Sequence, residues 1–199
     1  MASADFLSLL RLFVVKDFFD AGLCARLREE ARCGATKPAR VHDGEASEID
    51  ERFRRTRRVL VSDLTAAFVE DRLMAIQPEI EKHFNLPLSG CQKPQFLIYR
   101  EGDFFARHDD GGESGDPKIR ERRVSVVIFL NGESDELRED CYGGGALKFY
   151  GLLDDPRARH LGIPLAGETG LLIAFRSDLH HEVRPVTHGE RHTIVSWFR

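Results

Sequence analysis

Apolar residues follow one period up to about residue 93 and a different one beyond it. Upstream, Leu23, Leu27 and Ala31 recur every four residues behind Asp20, whose carboxylate suits the cap of the helix they predict. Ser62 or Asp63 opens a second stripe of Leu64, Phe68, Leu73, Ile76 and Phe84. Pro78 is expected to kink or restart that helix, because proline lacks a backbone donor. Residues 34 to 57 are polar, charged and aperiodic. That is long for a silent connection, so a functional lid or a mobile segment is expected there. The apolar start, Phe6 to Val15, carries Arg11, shows no small-residue cleavage site and is too short to span a bilayer. It reads as the first packed element.

From Pro94 onward short runs rich in β-branched and aromatic residues predict strands over 96–99, 104–110, 124–130, 146–150, 171–175, 182–186 and 191–198. Gly111-Gly112, Gly143-Gly144-Gly145, Asp154-Asp155-Pro156 and His188-Gly189 punctuate them. Helices first and strands later predict an α+β chain whose strands form a sandwich or barrel. One domain over 1–199 is expected, with helical support over 1–93 and a strand-built core over 94–199.

Composition narrows the function classes. The chain has 199 residues, 42% hydrophobic and 31% charged, ordinary values for a globular protein large enough to bury a core. A net charge of -4 provides no overall basic field for nucleic acid or an anionic membrane. The run Arg52-Phe53-Arg54-Arg55-Thr56-Arg57-Arg58 is the local exception, and a solvated face is its expected reading. Cys24, Cys33, Cys91 and Cys141 form no CxxC pair, which predicts free thiols in a reducing, cytoplasmic setting.

Candidate chemistry sits on the predicted strands. His108 and Asp110 stand two apart, so a strand would turn both to one interior and send Arg107 and Asp109 outward. An HxD pair alone carries little, since 8 histidines and 33 acidic residues yield about one such pair by chance. A second cluster, His180-His181-Glu182 through Arg191, changes the balance. Alternation lets only one of His180 and His181 face inward. On the returning strand Arg191, Thr193, Val195 and Trp197 share one face, and His192, Ile194, Ser196 and Phe198 the other. A cation heading an inward row needs an anion, and arginine suits a two-pronged grip on a carboxylate.

The stretch from Tyr99 to Trp197 resembles the catalytic domain of prolyl 4-hydroxylase-like Fe(II)/2-oxoglutarate oxygenases. Three pieces match in order. They are Tyr99-x-x-Gly-x-x-x-x-x-His108-x-Asp110, Gly144-Gly145-x-x-x-Phe149, and His181-Glu-Val-x-Pro-Val followed by Gly189-Glu-Arg191 and Trp197. Ala146-Leu147 stands where many prolyl hydroxylases carry Glu-Thr.

The resemblance implies a double-stranded β-helix, or jelly roll, with N-terminal helices packed on one sheet. It implies Fe(II) held by His108, Asp110 and His181, with 2-oxoglutarate as co-substrate and ascorbate as an optional reductant. Arg191 is expected to hold the far carboxylate of 2-oxoglutarate, with Tyr99 and Trp197 lining the pocket. O2 and 2-oxoglutarate are the implied small partners, and the implied reaction hydroxylates a C–H bond. A protein or peptide is the expected substrate and a small metabolite such as a free amino acid the alternative, with no nucleic acid and no membrane involved. Two rival readings remain. A zinc hydrolase could use the same ligand set but lacks an HExxH base and leaves Arg191 idle. A non-catalytic jelly roll would keep the cluster as structure.

Overall fold

In the computed structural model, helix α1 (Ala21–Cys33) begins where Asp20 accepts a hydrogen bond from the Leu23 amide at 2.8 Å. Helix α2 (Asp63–Phe84) begins where Ser62 accepts from the Thr65 amide at 3.1 Å. Both caps fulfil the sequence expectation. The structure describes residues 11–39, 41–43, 46–48, 50–112, 116–138, 140–153 and 155–199. Residues 6–10 of the apolar start, the side chains of 41–49 and Asp154 of the expected Asp-Pro break lie outside the described residues.

The buried face of α2 is Ala66, Val69, Leu73, Ile76 and Ile80, a stripe spaced three and four residues apart. Leu64 is 84% exposed and Phe68 41%, so the expected stripe was out of phase at its start. The true stripe includes Ala66, whose small side chain gives a weak apolar signal. Pro78 neither restarts the helix nor ends it. It lies on the exposed side, where water can serve the carbonyl it leaves without a donor.

The described residues form seventeen strands, numbered in chain order. The first six are β1 (Phe13–Val15), β2 (Thr36–Pro38), β3 (Val41–Asp43), β4 (Ala46–Glu48), β5 (Arg54–Arg55) and β6 (Arg57–Val59). Next come β7 (Gln95–Tyr99), β8 (Phe104–His108) and, after the short helix α3 (Pro117–Arg120), β9 (Val124–Phe129), β10 (Gly132–Glu133), β11 (Cys141–Gly144) and β12 (Leu147–Tyr150). The last five are β13 (Gly162–Leu165), β14 (Leu172–Arg176), β15 (His181–Val183), β16 (Val186–Gly189) and β17 (Arg191–Phe198).

Seven strands make the larger sheet in the order β1-β14-β9-β17-β7-β6-β2, and five make the smaller in the order β13-β12-β15-β8-β5. Strand alternation gives the larger sheet two different faces. Phe96, Ile98, Val126, Ile128, Ala174, Ile194 and Phe198 pack with Leu27, Ala31, Val69, Leu73 and Ile80 of the helices. Leu97, Tyr99, Val127, Phe129, Ile173 and Phe175 turn the other way, onto Leu147, Phe149 and Val183 of the smaller sheet. This is a double-stranded β-helix with helices on one sheet, as the resemblance implied.

Several local expectations differ. Residues 34 to 57, expected as a functional lid or a mobile segment, carry short strands among the described residues: β2 pairs with β6, β3 with β4, and β5 with β8. β2 and β5 lie at sheet edges, where few neighbours bury the side chains, and this hides the two-residue period. The expected strand 182–186 is broken at Arg184-Pro185, and Val186 begins β16 in a separate three-stranded sheet. Proline cannot donate to a ladder, which accounts for the break. Conversely, Gly143 and Gly144 lie within β11, with a register shift between them, where a break was expected. β8 ends at His108, so Asp110 lies past the strand.

Candidate active site

His108 and His181 meet because β8 and β15 are antiparallel neighbours in which these residues stand directly opposite each other. Their ring centroids are 4.2 Å apart. Asp110 reaches the same point by another device. Its amide and that of Gly111 donate to the Ser177 carbonyl at 2.9 and 3.0 Å, which bends the chain after β8 back across the sheets. One ligand atom from each of the three side chains lies within 4.8 Å of the others. His180, the competing residue, is exposed, whereas His181 is buried.

The imidazoles are oriented from behind. Nδ1 of His108 lies 2.7 Å from the Ala106 carbonyl and Nδ1 of His181 lies 2.9 Å from the Leu179 carbonyl. A carbonyl only accepts, so both Nδ1 atoms carry the proton and Nε2 presents its lone pair. These Nε2 atoms face the two oxygens of Asp110 at 3.7 and 3.5 Å. Three electron-rich groups turned on one another call for a cation between them, and two imidazoles with one carboxylate are the donor set of a non-haem Fe(II) centre. Burial and the neighbouring His181 push the His108 imidazole down to about 3, which keeps its lone pair free. Burial works to raise Asp110, but His181, His108 and Arg122 outweigh it and hold the carboxyl at about 2. Phe105 stacks on His108 with centroids 3.5 Å apart, and Phe175 meets His181 edge-on at 4.8 Å. The residues present fit the metal.

Arg191 opens β17 on its inner face and is only 1% exposed. Its Nη1 donates to Thr193 Oγ1 at 3.3 Å, while Nε and Nη2 are buried without a hydrogen-bond partner. Rings surround it, with Phe129 at 5.0 Å, Tyr99 at 5.1 Å and Tyr142 at 5.9 Å from the guanidinium carbon. Among the described residues no carboxylate oxygen comes within ion-pair distance of it. Gly145 makes room: its φ of +65° suits glycine, and a Cβ there would stand 3.0 Å from Arg191 Cδ. A buried cation with two idle donors is built to receive an anion.

Tyr99 and Trp197 both lie on the inner face, as expected, and both are buried. Trp197 carries Arg122 against its ring at 3.7 Å, and Arg122 Nη1 donates to the Asp110 carbonyl at 3.3 Å. Arg122 was not legible in the sequence, because it sits in a charged turn with no period. Arg54 was missed too, inside a run expected to be solvated. Its guanidinium lies 4.3 Å over Phe105 and engages the Tyr99 hydroxyl; burial pulls its pKa down against the pull of Tyr99 and Asp110. A cavity of about 260 Å³ borders the site through Arg54.

A jelly roll carrying two histidines on adjacent strands and an aspartate in the turn after one of them, with a buried arginine on its inner wall, defines the class of non-haem iron oxygenases. The family model of the 2OG-Fe(II) oxygenase superfamily matches residues 94–199, more than half of the chain, and the chain belongs to that family. A Pseudomonas putida prolyl-4-hydroxylase superposes with a TM-score of 0.67 at 25% identity, covering 98% of this chain and 96% of that one. A Trichoplax adhaerens prolyl hydroxylase, solved in complex with a hypoxia inducible factor oxygen degradation domain peptide fragment, gives a TM-score of 0.70 at 18% identity. It covers 98% of this chain and 86% of its own. The viral collagen prolyl hydroxylase of Paramecium Bursaria Chlorella virus-1, as its 2-oxoglutarate complex, gives 0.61 at 16% identity over 95% and 96%. No curated protein sequence matches the chain. The protein is a 2-oxoglutarate-dependent non-haem iron dioxygenase, which removes the zinc-hydrolase and non-catalytic readings.

Proposed function

We propose that this dioxygenase hydroxylates a prolyl residue of a peptide or protein, with His108, Asp110 and His181 as the iron ligands and Arg191 as the clamp for 2-oxoglutarate. The observation that carries the ligand roles is the convergence of three lone-pair donors from β8, β15 and the turn after β8. The clamp role rests on the two idle donors of Arg191 on the same interior. The prolyl substrate rests on the likeness to the Pseudomonas putida prolyl-4-hydroxylase, at 25% identity over nearly the whole of both chains.

When bound together, Fe(II) and 2-oxoglutarate would, with O2 as oxidant, supply an oxidative decarboxylation to succinate and CO2 coupled to C–H hydroxylation, one oxygen atom going to succinate and the other to the substrate. The chain's own residues do the rest. Ala106 and Leu179 fix the imidazole tautomers, so the lone pairs are aimed before any ligand arrives. Asp110 remains ionised, adding negative charge on one side only. Arg191, with Thr193 and Tyr142 beside it, sets how deep a dicarboxylate can sit. Phe105, Phe149 and Phe175 wall the histidines with apolar surface and keep water from competing. β5 runs beside β8 and lends Arg54 to the rim, where a polypeptide would cross.

We read 1–199 as one catalytic unit, since β1, β2 and β6 belong to the larger sheet and β5 to the smaller. Four free cysteines suit a reducing cytoplasm. No helix among the described residues is long and apolar enough to cross a membrane. The test is succinate formation with Fe(II), ascorbate and 2-oxoglutarate, with proline-containing peptides against free proline and other amino acids. Peptide-stimulated turnover with one added oxygen on proline is expected. Stimulation by a free amino acid alone would replace the peptide with a small metabolite.

A further inference from the structure

Near Arg191 lies a half-buried carboxyl group for which the proposed chemistry has no task. Glu133 ends β10, and the register of that strand sets it opposite Tyr142 of β11. Its amide donates to the Gly167 carbonyl at 2.9 Å, which ties the residue to the loop before β14. One oxygen of the Glu133 carboxyl is buried with no hydrogen-bond partner. The same is true of the Tyr142 hydroxyl and of Arg191 Nε and Nη2. Three elements thus bring a cation, an acid and a phenol together with hydrogen-bonding capacity left over, although the Gly167 backbone lies against both the acid and the phenol and the phenol lies against Arg191. Glu133 and Arg191 attract each other electrostatically without closing an ion pair. That leaves the guanidinium donors open while the buried charge still has a counter-ion nearby.

We propose that Glu133 is the resting counter-charge of Arg191, and that 2-oxoglutarate enters its pocket with uptake of one proton by the Glu133 carboxyl. The inference rests on the reading of Arg191 as the co-substrate clamp. The electrostatic reason is simple. A bound dicarboxylate brings a second anion to a single buried guanidinium, and two carboxylates facing one cation in a poorly solvated space repel each other. Protonation of Glu133 by solvent removes that repulsion: the carboxylate becomes a neutral acid, and its new O–H can donate to the incoming carboxylate. The charged or titratable groups facing Glu133 are Arg191 on β17, Tyr142 on β11 and Asp135 in the loop after β10. Burial already raises the Glu133 pKa above the ordinary carboxylate range; Arg191 opposes that, Asp135 adds to it, and a hydrogen bond from the Gly167 backbone opposes it. A second anion at Arg191 shifts the balance further toward the protonated acid. Affinity for 2-oxoglutarate should therefore fall as pH rises, because the proton must be drawn from a scarcer supply.

The test is calorimetric titration of Zn(II)-loaded protein with 2-oxoglutarate between about pH 6 and pH 8, in buffers of differing ionisation enthalpy. Wild type is expected to take up as much as one proton per 2-oxoglutarate, with Kd rising with pH. Glu133→Gln is expected to lose that uptake, to flatten the profile, and to bind about tenfold more tightly at the alkaline end. Equal proton uptake and equal slopes in both proteins would overturn the proposal, as would weaker binding by Glu133→Gln. Arg191→Met in the same titration separates the two readings. If it binds as wild type does, the clamp itself is wrong and Glu133 falls with it. If it loses affinity while Glu133→Gln matches wild type, the clamp stands and only the role of Glu133 is refuted.

Discussion

Replacing Arg191 with methionine separates a ligand-binding cation from a structural one, because the two make opposite demands on the empty protein. If Arg191 served the fold, its removal would break a buried, satisfied interaction, and such losses cost about 3–5 kcal/mol. The structure shows a different situation. Arg191 has one hydrogen bond, to Thr193, ring contacts with Phe129, Tyr99 and Tyr142, and a solvent-screened attraction to the half-buried Glu133 worth about 0–1 kcal/mol. Losing these costs roughly 1 kcal/mol for the hydrogen bond and about 0.5–2 kcal/mol for the cation–π attraction. Against this, Nε and Nη2 are buried donors with no partner, each costing about 1–3 kcal/mol that methionine does not incur. Methionine also fills irregular apolar space well. The ligand-free variant should therefore be as stable as wild type, or more stable by up to about 2 kcal/mol. Affinity for 2-oxoglutarate should collapse. Two charge-assisted hydrogen bonds at about 1.5–3 kcal/mol each amount to roughly a hundred- to ten-thousandfold in Kd. Urea unfolding of the metal-free protein gives the first quantity, and anaerobic titration of the Fe(II)–2-oxoglutarate charge-transfer band gives the second. A variant destabilised by about 3–5 kcal/mol with its 2-oxoglutarate affinity intact would refute the reasoning at both points.

Asp110→Asn keeps the shape of the ligand cluster and removes its charge; Fe(II) affinity by calorimetry should drop at least about tenfold, with an unchanged circular dichroism spectrum. Retained turnover would remove Asp110 from the ligand set. His192 is buried, and its imidazole is pushed down to about 4, by burial first, with Glu190 pulling the other way. The unfolded chain then binds a proton below the ordinary 6.5 that the folded chain refuses. Stability is full above that value and falls as pH drops toward 4, by about 3 kcal/mol at most. Urea midpoints of His192→Gln should follow pH less steeply than wild type across that window, and parallel slopes would discount His192. Ile194→Ala removes a fully buried side chain between the larger sheet and the helices and should cost about 2–5 kcal/mol in denaturant unfolding. A smaller loss would mean the helices close over the gap.

What could be read from the sequence follows how locally each feature is encoded. Helix starts at Asp20 and Ser62 were legible because a cap lies beside the turn it serves. The row Arg191, Thr193, Val195 and Trp197 was legible because a long central strand displays its period without interruption. His108 and Asp110 were correctly paired for a reason that holds only in part. The expected alternation stops at His108, and the Ser177 backbone turns Asp110 inward. Such a contact spans 67 residues of chain and leaves no local trace. Arg54, Arg122 and Tyr142 were missed on the same ground. Each is an ordinary residue in a polar or glycine-rich stretch until strand pairing delivers it to the site. Edge strands such as β2 and β5 hide for a related reason, because with few neighbours to bury against, their side chains show little alternation.

The larger sheet explains how one strand can carry both stability and chemistry. On β17 the even positions Ile194 and Phe198 lie under the helices, and the odd positions Arg191 and Thr193 face the smaller sheet. A one-residue slip would exchange these sets, placing a guanidinium under α1 and α2 and an isoleucine where the co-substrate is proposed to sit. The apolar contacts of Ile194 and Phe198 with the helices make that slip prohibitive, since it would bury Arg191 among Leu27, Val69 and Leu73. His192 adds a second lock. Its amide donates to the Asn131 side chain at 2.9 Å, and Asn131 in turn donates to the Glu190 carbonyl at 2.8 Å. The idle donors of Arg191 are thus held in place by residues that never approach the metal ligands. Core substitutions on the helix-facing side should therefore raise the 2-oxoglutarate requirement before they unfold the chain, whereas substitutions on α2's exposed Leu64 should leave it unchanged.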